Sequence, residues 1–314
     1  MSLAWETRLV PLNFRVGEIT LFRTRLPFKV CGLHFAEMQK YEDLLMVSAT
    51  AFTHGTAGTL LRSKPVEGRL SRIQWRAGAI RYVPSQYKRY YVDLGLGEDA
   101  YSQCFSAKSR STLKRKIKRF AKMSGHEIEW KEYRTPEEME TFYTLARSVS
   151  RKTYQETLLD AGLPADAEFQ KGMLDLAQKD QVRGFLLFHG QKPVSYLYSP
   201  IRDGIARYEY LGYDPEYGPW SPGVILQWFA LKRLFRDPDA KMFDFLEGET
   251  MHKKFFATHD CSCADIFYFR PTVRNLMRVL LHCGLDMTGY GVGVVLDRFG
   301  LKSRIRKLIR SVKA

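Results

Sequence analysis

Apolar and polar positions change rhythm several times along the chain, and each change predicts an element. Over 33–52 the apolar residues fall at helical spacing, whereas 70–75, 79–83 and 87–94 alternate or run apolar as strands do. The first 95 residues therefore read as short strands around one amphipathic helix. Gly95-Leu-Gly97 marks a turn and a domain boundary. In 106–122, Leu113, Ile117, Phe120 and Ala121 stand at i, i+4, i+7 and i+8, one apolar stripe on a helix. Ser106, Ser109 and Ser111 are its candidate N-caps.

From His126 the order becomes regular. A strand is expected over 126–133, and Thr135-Pro-Glu-Glu138 opens a helix with a cap, a proline at its first position and early acids. A second helix covers 167–178. Strands follow at 182–188, 194–199 and 205–212, separated by spacers short enough for antiparallel hairpins. Alternation along 205–213 puts Tyr208 and Tyr210 on one face and Glu209 with Leu211 on the other. After Pro222-Gly223 a helix runs to about residue 235, then strand 242–246, helix 251–257 and strand 264–270. The fold class is α/β (α+β), with mixed strand directions.

Composition narrows the class of protein. The chain has 314 residues, 45% hydrophobic, with 23 glycines and 13 prolines, which excludes collagen-like and wholly disordered readings. Five scattered cysteines do not suggest a disulfide scaffold. The N-terminal sequence has acids and a proline where a signal peptide needs an apolar run, and charges interrupt every window long enough to span a membrane. The expectation is a soluble, cytoplasmic protein, peripheral on the inner membrane face if its tail binds lipid.

The net charge of +15 is concentrated in two places. Lys108, Arg110, Lys114, Arg115, Lys116, Lys118, Arg119 and Lys122 occupy the first with no acid among them; Lys302, Arg304, Arg306, Lys307, Arg310 and Lys313 occupy the second. Anionic partners are to be sought at these two segments. In the second, Leu301, Ile305, Leu308, Ile309 and Val312 form one apolar stripe, so this basic amphipathic helix either lies on an anionic membrane surface or packs on the protein's own body.

Four stretches carry a family resemblance: Ser109-Arg-Ser-Thr-Leu-Lys-Arg-Lys116, Tyr213-Asp-Pro-Glu-Tyr217, Ser221-Pro-Gly-Val-Ile-Leu226, and Asp244-Phe-Leu-Glu-Gly248 with His252-Lys-Lys-Phe-Phe256. Together with the three-strand meander, they resemble the GNAT acyltransferase superfamily, and within it the CelD-like bacterial proteins related to the Fem-type aminoacyltransferases. The resemblance covers about residues 100–270. It implies a GNAT-like mixed sheet with flanking helices, residues 96–270 being the acyltransferase domain. By analogy with tandem Fem-type folds, 1–95 would be a degenerate GNAT-like first half and 271–314 a helical basic tail. Two departures stand out. His252 occupies the position of the family's usual tyrosine, and Trp220-Ser-Pro-Gly223 stands where ordinary GNAT enzymes have a glycine-rich pyrophosphate loop.

Moving an acyl group from a thioester to an amine requires holding the donor, deprotonating the ammonium and stabilising an oxyanion. Ser221, Gly223 and Val224 at a helix start would offer backbone N–H groups to a pyrophosphate or phosphopantetheine phosphate; a plain Pro-Gly turn is the other reading. Glu209 is the candidate general base, with Asp214 as the fallback. Against these stand a surface glutamate paired to Arg207 and an Asp-Pro turn residue. Asp244, Glu247 and Glu249, with His252, would bind the acceptor amine; otherwise the acids serve the following helix through its dipole. Lys253 matches the family lysine that faces a phosphate or the oxyanion. Cys261-Ser-Cys263 with His259 and His252 does not reach four ligands at zinc spacing, so no metal is expected.

The leading expectation is an N-acyltransferase for groups other than aminoacyl. It would use acyl-CoA or acyl carrier protein as cosubstrate, with no permanently bound cofactor, and an amine on a sugar, amino acid or lipid, long-chain amino bases included, as acceptor. A Fem-type aminoacyltransferase would instead set tRNA on the basic helix 106–122, which suits acyl carrier protein equally. A non-enzymatic nucleic-acid or membrane binder is the third reading, but it has no need of the motifs around Gly223 and Lys253.

Overall fold

The computed structural model describes residues 5–17, 19–38, 51–153, 156 and 162–298. In chain order its elements are β1 (Trp5–Val16), β2 (Ile19–Cys31), α1 (Phe35–Met38), β3 (Gly58–Pro65), β4 (Ile73–Arg76), β5 (Ala79–Tyr82) and β6 (Gln86–Asp93). Next come α2 (Glu98–Cys104), α3 (Ala107–Met123), β7 (Trp130–Tyr133), α4 (Pro136–Ser150), α5 (Ala167–Gln178), β8 (Val182–His189) and β9 (Lys192–Arg202). The series ends with β10 (Ile205–Arg207), β11 (Tyr210–Tyr213), α6 (Pro222–Leu234), β12 (Met242–Glu247), α7 (Met251–Phe256), β13 (His259–Phe269) and α8 (Val273–Arg298). Most of the expected helix 33–52 and the whole of 301–312 lie outside the described residues.

The chain divides into two compact units: Met1–Tyr87 with Ser262–Ala314, and Lys88–Cys261. Expected boundaries fell at residues 95 and 270. The first unit instead completes itself with β13 and α8, because β13 pairs antiparallel with both β3 and β5. Its opening strands are long where short ones were expected. β1 and β2 form one hairpin from Trp5↔Cys31 to Val16↔Ile19, and β2 runs parallel to β3. Val10, Leu12 and Phe14 of β1 join Val279 and Cys283 of α8 in one core. From Val10 to Phe14, alternation along β1 sends every second side chain to that core.

In the second unit the strand order is β6-β12-β10-β9-β8-β7, with β11 also pairing β9. β10 and β12 are parallel and the other pairs antiparallel. Helices cover both faces. Met139, Phe142 and Ala146 of α4 and Met173 of α5 pack with Leu186, Tyr196 and Tyr198; Ile225, Leu226 and Ala230 of α6 pack with Phe185, Leu187 and Leu197. Period-two alternation assigns Leu186 and its neighbours to opposite layers. Local signals hold where they were strongest. Thr135 and Glu138 form a reciprocal capping box on α4, and Ser106 caps α3. Asp203 and Gly204 both take positive φ, as a two-residue hairpin between β9 and β10 requires.

Candidate active site

The expected strand 205–212 is two strands. β10 runs beside β12 as far as Arg207↔Asp244, and the Tyr208 N–H still donates to the Asp244 carbonyl at 2.9 Å. The Glu209 N–H turns to the carbonyls of Arg207 (3.0 Å) and Tyr198 (3.3 Å), and β11 then pairs with β9. A wedge therefore opens between β11 and β12. The irregularity also changes side-chain parity. Tyr208 packs with Phe243 and Phe245 on the α6 face, while Tyr210 meets Phe169 and Tyr198 on the α4–α5 face. The two tyrosines do not share a face, contrary to simple alternation.

Glu209 is half-buried at this break. Burial pushes its carboxyl above the ordinary range, against the opposing pull of Arg207 and Arg202. Arg207 Nε lies 3.9 Å from the Glu209 carboxylate, too far for a hydrogen bond, and that buried nitrogen has no hydrogen-bond partner. On the other side of Tyr208, the His252 ring is tilted against Tyr208 and meets Phe256 edge to face. Its Nε2 is buried without a hydrogen-bond partner. Burial, reinforced by Lys116 and Lys253, lowers the imidazole to about 4, so His252 is neutral at neutral pH. Lys253 is half-buried and donates from Nζ to the Glu247 carbonyl at 2.6 Å, whereas Lys254 is exposed. Burial lowers the Lys253 pKa, with Asp244 and Glu247 opposing and Arg89 adding to it.

The other candidates are committed elsewhere. Asp214 is buried, takes Lys152 at 3.0 Å and Lys192 at 3.3 Å, and caps the turn that follows by accepting from the Glu216 N–H. Burial alone would raise its carboxyl, yet these partners hold it below the ordinary range, which makes it a poor base. Asp244 is fully buried and gripped by the Arg89 guanidinium, with a further bond from the Leu246 N–H. It shapes the end of β12 and does not face an acceptor. Glu249 accepts from the Tyr90 hydroxyl, and Glu247 offers its carbonyl to Lys253; both side chains are exposed. The cap of α7 is Thr250, not an acid.

At the start of α6, Ser221 adopts a left-handed conformation and its side chain makes no cap bond. The Val224 and Ile225 N–H groups both turn back to the Ser221 carbonyl. Gly223 is buried, and a Cβ there would stand 3.1 Å from Leu211 and 3.4 Å from Tyr213. Its small size thus seats α6 on β11, a packing reason beside the expected ligand approach. Gln227 was not anticipated. It is fully buried one turn along from Gly223, with neither amide atom bonded. Its one sequence signal is a glutamine inside the apolar run from Val224 to Phe229. Arg89 carried no local signal at all. Among the described residues no group of His, Cys, Asp or Glu could hold a metal ion, and the five cysteines form no disulfide.

Residues 107–254 match the family model of the acetyltransferase (GNAT) domain. The fold is similar to that of FemX, with a TM-score of 0.51 at 12% identity over 88% of this chain and 90% of that one. It is similar as well to the C-terminal DUF2156 domain of an Agrobacterium fabrum protein described as a lysylphosphatidylglycerol synthetase. There the TM-score is 0.51 at 9% identity, over 85% of this chain and 84% of that one. No curated protein matches the sequence. The fold is therefore GNAT-like, a mixed sheet flanked by helices.

Proposed function

We propose that the wedge between β11 and β12 transfers an acyl group from an acyl thioester, acyl-CoA or acyl carrier protein, to an amine on a sugar, amino acid or lipid. Glu209 takes the ammonium proton; the freed amine attacks the thioester carbonyl, the C–S bond breaks and the thiol leaves with a proton. Lys253 faces the charge that develops on the carbonyl oxygen or a donor phosphate. The start of α6 at Ser221, Gly223 and Val224 receives the phosphates of the donor at its positive end. Neutral His252 lends its unpartnered Nε2 to the acceptor. The observation that carries the reading is the raised, half-buried carboxyl of Glu209 at the point where the strands part. In this proposal the acyltransferase domain, expected over 96–270, is the unit Lys88–Cys261, and the degenerate first half, expected over 1–95, is completed by β13 and α8, with the basic tail of 271–314 beginning in α8.

A second reading, aminoacyl transfer from tRNA, draws on α3. Its bases crowd one helix, and Lys116 is near enough to His252 to act on its charge. The likeness to FemX in fold supports keeping this donor beside acyl-CoA. Thiol release from a panel of acyl-CoA thioesters, with amine acceptors that include long-chain amino bases, tests the first reading. Acceptor-dependent release lost in Glu209→Gln supports it; no release with any thioester, together with RNA in the purified protein, moves the assignment to the second.

A further inference from the structure

The first unit carries an apolar helix face that stands exposed among the described residues. Asn275, Val279 and Cys283 turn one side of α8 inward, and His282 meets the Tyr82 hydroxyl at 2.6 Å. On the opposite side Val273 is 80% and Met277 61% exposed, and Leu280, Leu281 and Met287 are about half exposed. At 100° per residue these five fall within one arc, together with exposed Gly284 and Thr288. No acid lies in that arc. Arg274 and Arg278 border it on one side, and the Asp286 carboxylate on the same helix is taken by Arg72 at 2.8 Å. Solvent-facing helix positions are ordinarily polar, and a contiguous apolar arc of this kind marks an interaction surface.

Charge decides what the surface meets. The sequence just beyond α8 places six bases and no acid within 301–314. A second copy seated on the arc would bring two such basic segments together, whereas an anionic lipid surface satisfies the apolar arc and the bases at once. No described helix is long and apolar enough to cross a membrane. We infer that α8 lies with the arc of Val273, Met277, Leu280, Leu281 and Met287 against an anionic membrane surface, the following bases holding it there. The inference stands on α8 and the basic sequence after it, apart from the chemistry of the wedge.

Co-sedimentation of the full chain with phosphatidylcholine vesicles, with and without phosphatidylglycerol, tests this. Met277→Glu with Leu280→Glu replaces two exposed side chains, and an unchanged melting temperature verifies the fold. Binding to the anionic vesicles is expected, weakened by salt and reduced roughly tenfold or more in the double variant. Three results would overturn it. One is no sedimentation of the wild type. Another is equal binding by both proteins, which assigns lipid contact to the bases alone. The last is a dimer in sedimentation velocity that the double variant dissolves, which gives the face to a second copy.

Discussion

Each unit contains a strand irregularity, and the two end in opposite chemistry. In the first unit the register of β13 on β3 slips between Ala264 and Ile266. Asp265 fills the gap, accepting from the Ser63 N–H at 2.8 Å and the Tyr87 hydroxyl at 2.9 Å, with Ser63 Oγ 2.7 Å from that hydroxyl. In the second unit the chain breaks at Tyr208-Glu209 and leaves Arg207 Nε and His252 Nε2 buried without hydrogen bonds. A bulge re-aims backbone in either case. What separates a lock from a site is whether the polar groups it displaces find partners within the protein, since unsatisfied buried atoms are costly and uncommon.

That contrast makes measurable demands. The largest effect is expected for Glu209→Gln, which should lower turnover by roughly 10²–10⁴ in a folded protein. Its stability should not suffer. A carboxyl raised by burial binds its proton more tightly in the folded state, so folding loses stability as pH climbs through that raised value. Glutamine escapes this loss, and the variant should melt no lower than wild type at neutral pH. The acid limb of the wild-type rate profile should likewise sit above the ordinary carboxylate range. Turnover within a few-fold of wild type would remove Glu209 from the chemistry.

Next in size, Lys253→Ala should cost about 2–4 kcal/mol in kcat/KM, because it removes a charge positioned where charge develops. Lys254→Ala, on the exposed side of the same helix, should be nearly silent. Equal, mild losses in both would make the pair a solvated face. Asp265→Ala should cost about 1–3 kcal/mol of stability, read by urea denaturation, while turnover stays at the wild-type value. A fall in turnover there would erase the distinction between lock and site. The smallest effect concerns His252. Its imidazole titrates at about 4 in the fold against about 6.5 when unfolded. Folded protein therefore loses stability as pH falls from the higher value toward the lower, and His252→Phe should flatten that slope in denaturation curves compared across mild acid.

Much of this arrangement could be read from sequence where the cause is local. The capping box at Thr135, the tight turn at Asp203-Gly204 and the helix after Pro222 each depend on a few consecutive residues. The break at Tyr208 does not. Residues 205–212 have the composition of one strand, and the parting is imposed by the Asp244 carbonyl on one side and Tyr198 on the other. Asp244 looked like a binding carboxylate because its partner, Arg89, stands 155 positions away. Asp214 was ambiguous for the same reason: Lys152 and Lys192 decide its state, and neither adjoins it in sequence. Lys253 is singled out by its motif and Glu209 by its place on the strand entering the loop, whereas the buried, unbonded amide of Gln227 emerges only from packing.

The first unit is assembled from both ends of the chain, with the second unit inserted between them. Its hydrogen bond from Ser63 to Asp265 closes over 202 positions. As the polypeptide leaves the ribosome, β1, β2 and β3 emerge long before β13, the strand that β3 and β5 both need. At about 5–20 residues per second, the delay is on the order of ten seconds or more. During it the half-built sheet keeps an unpaired edge, while the inserted unit has its entire sequence and can complete itself first. Synthesis therefore orders the two: the inserted unit can mature before the unit that carries the apolar helix face.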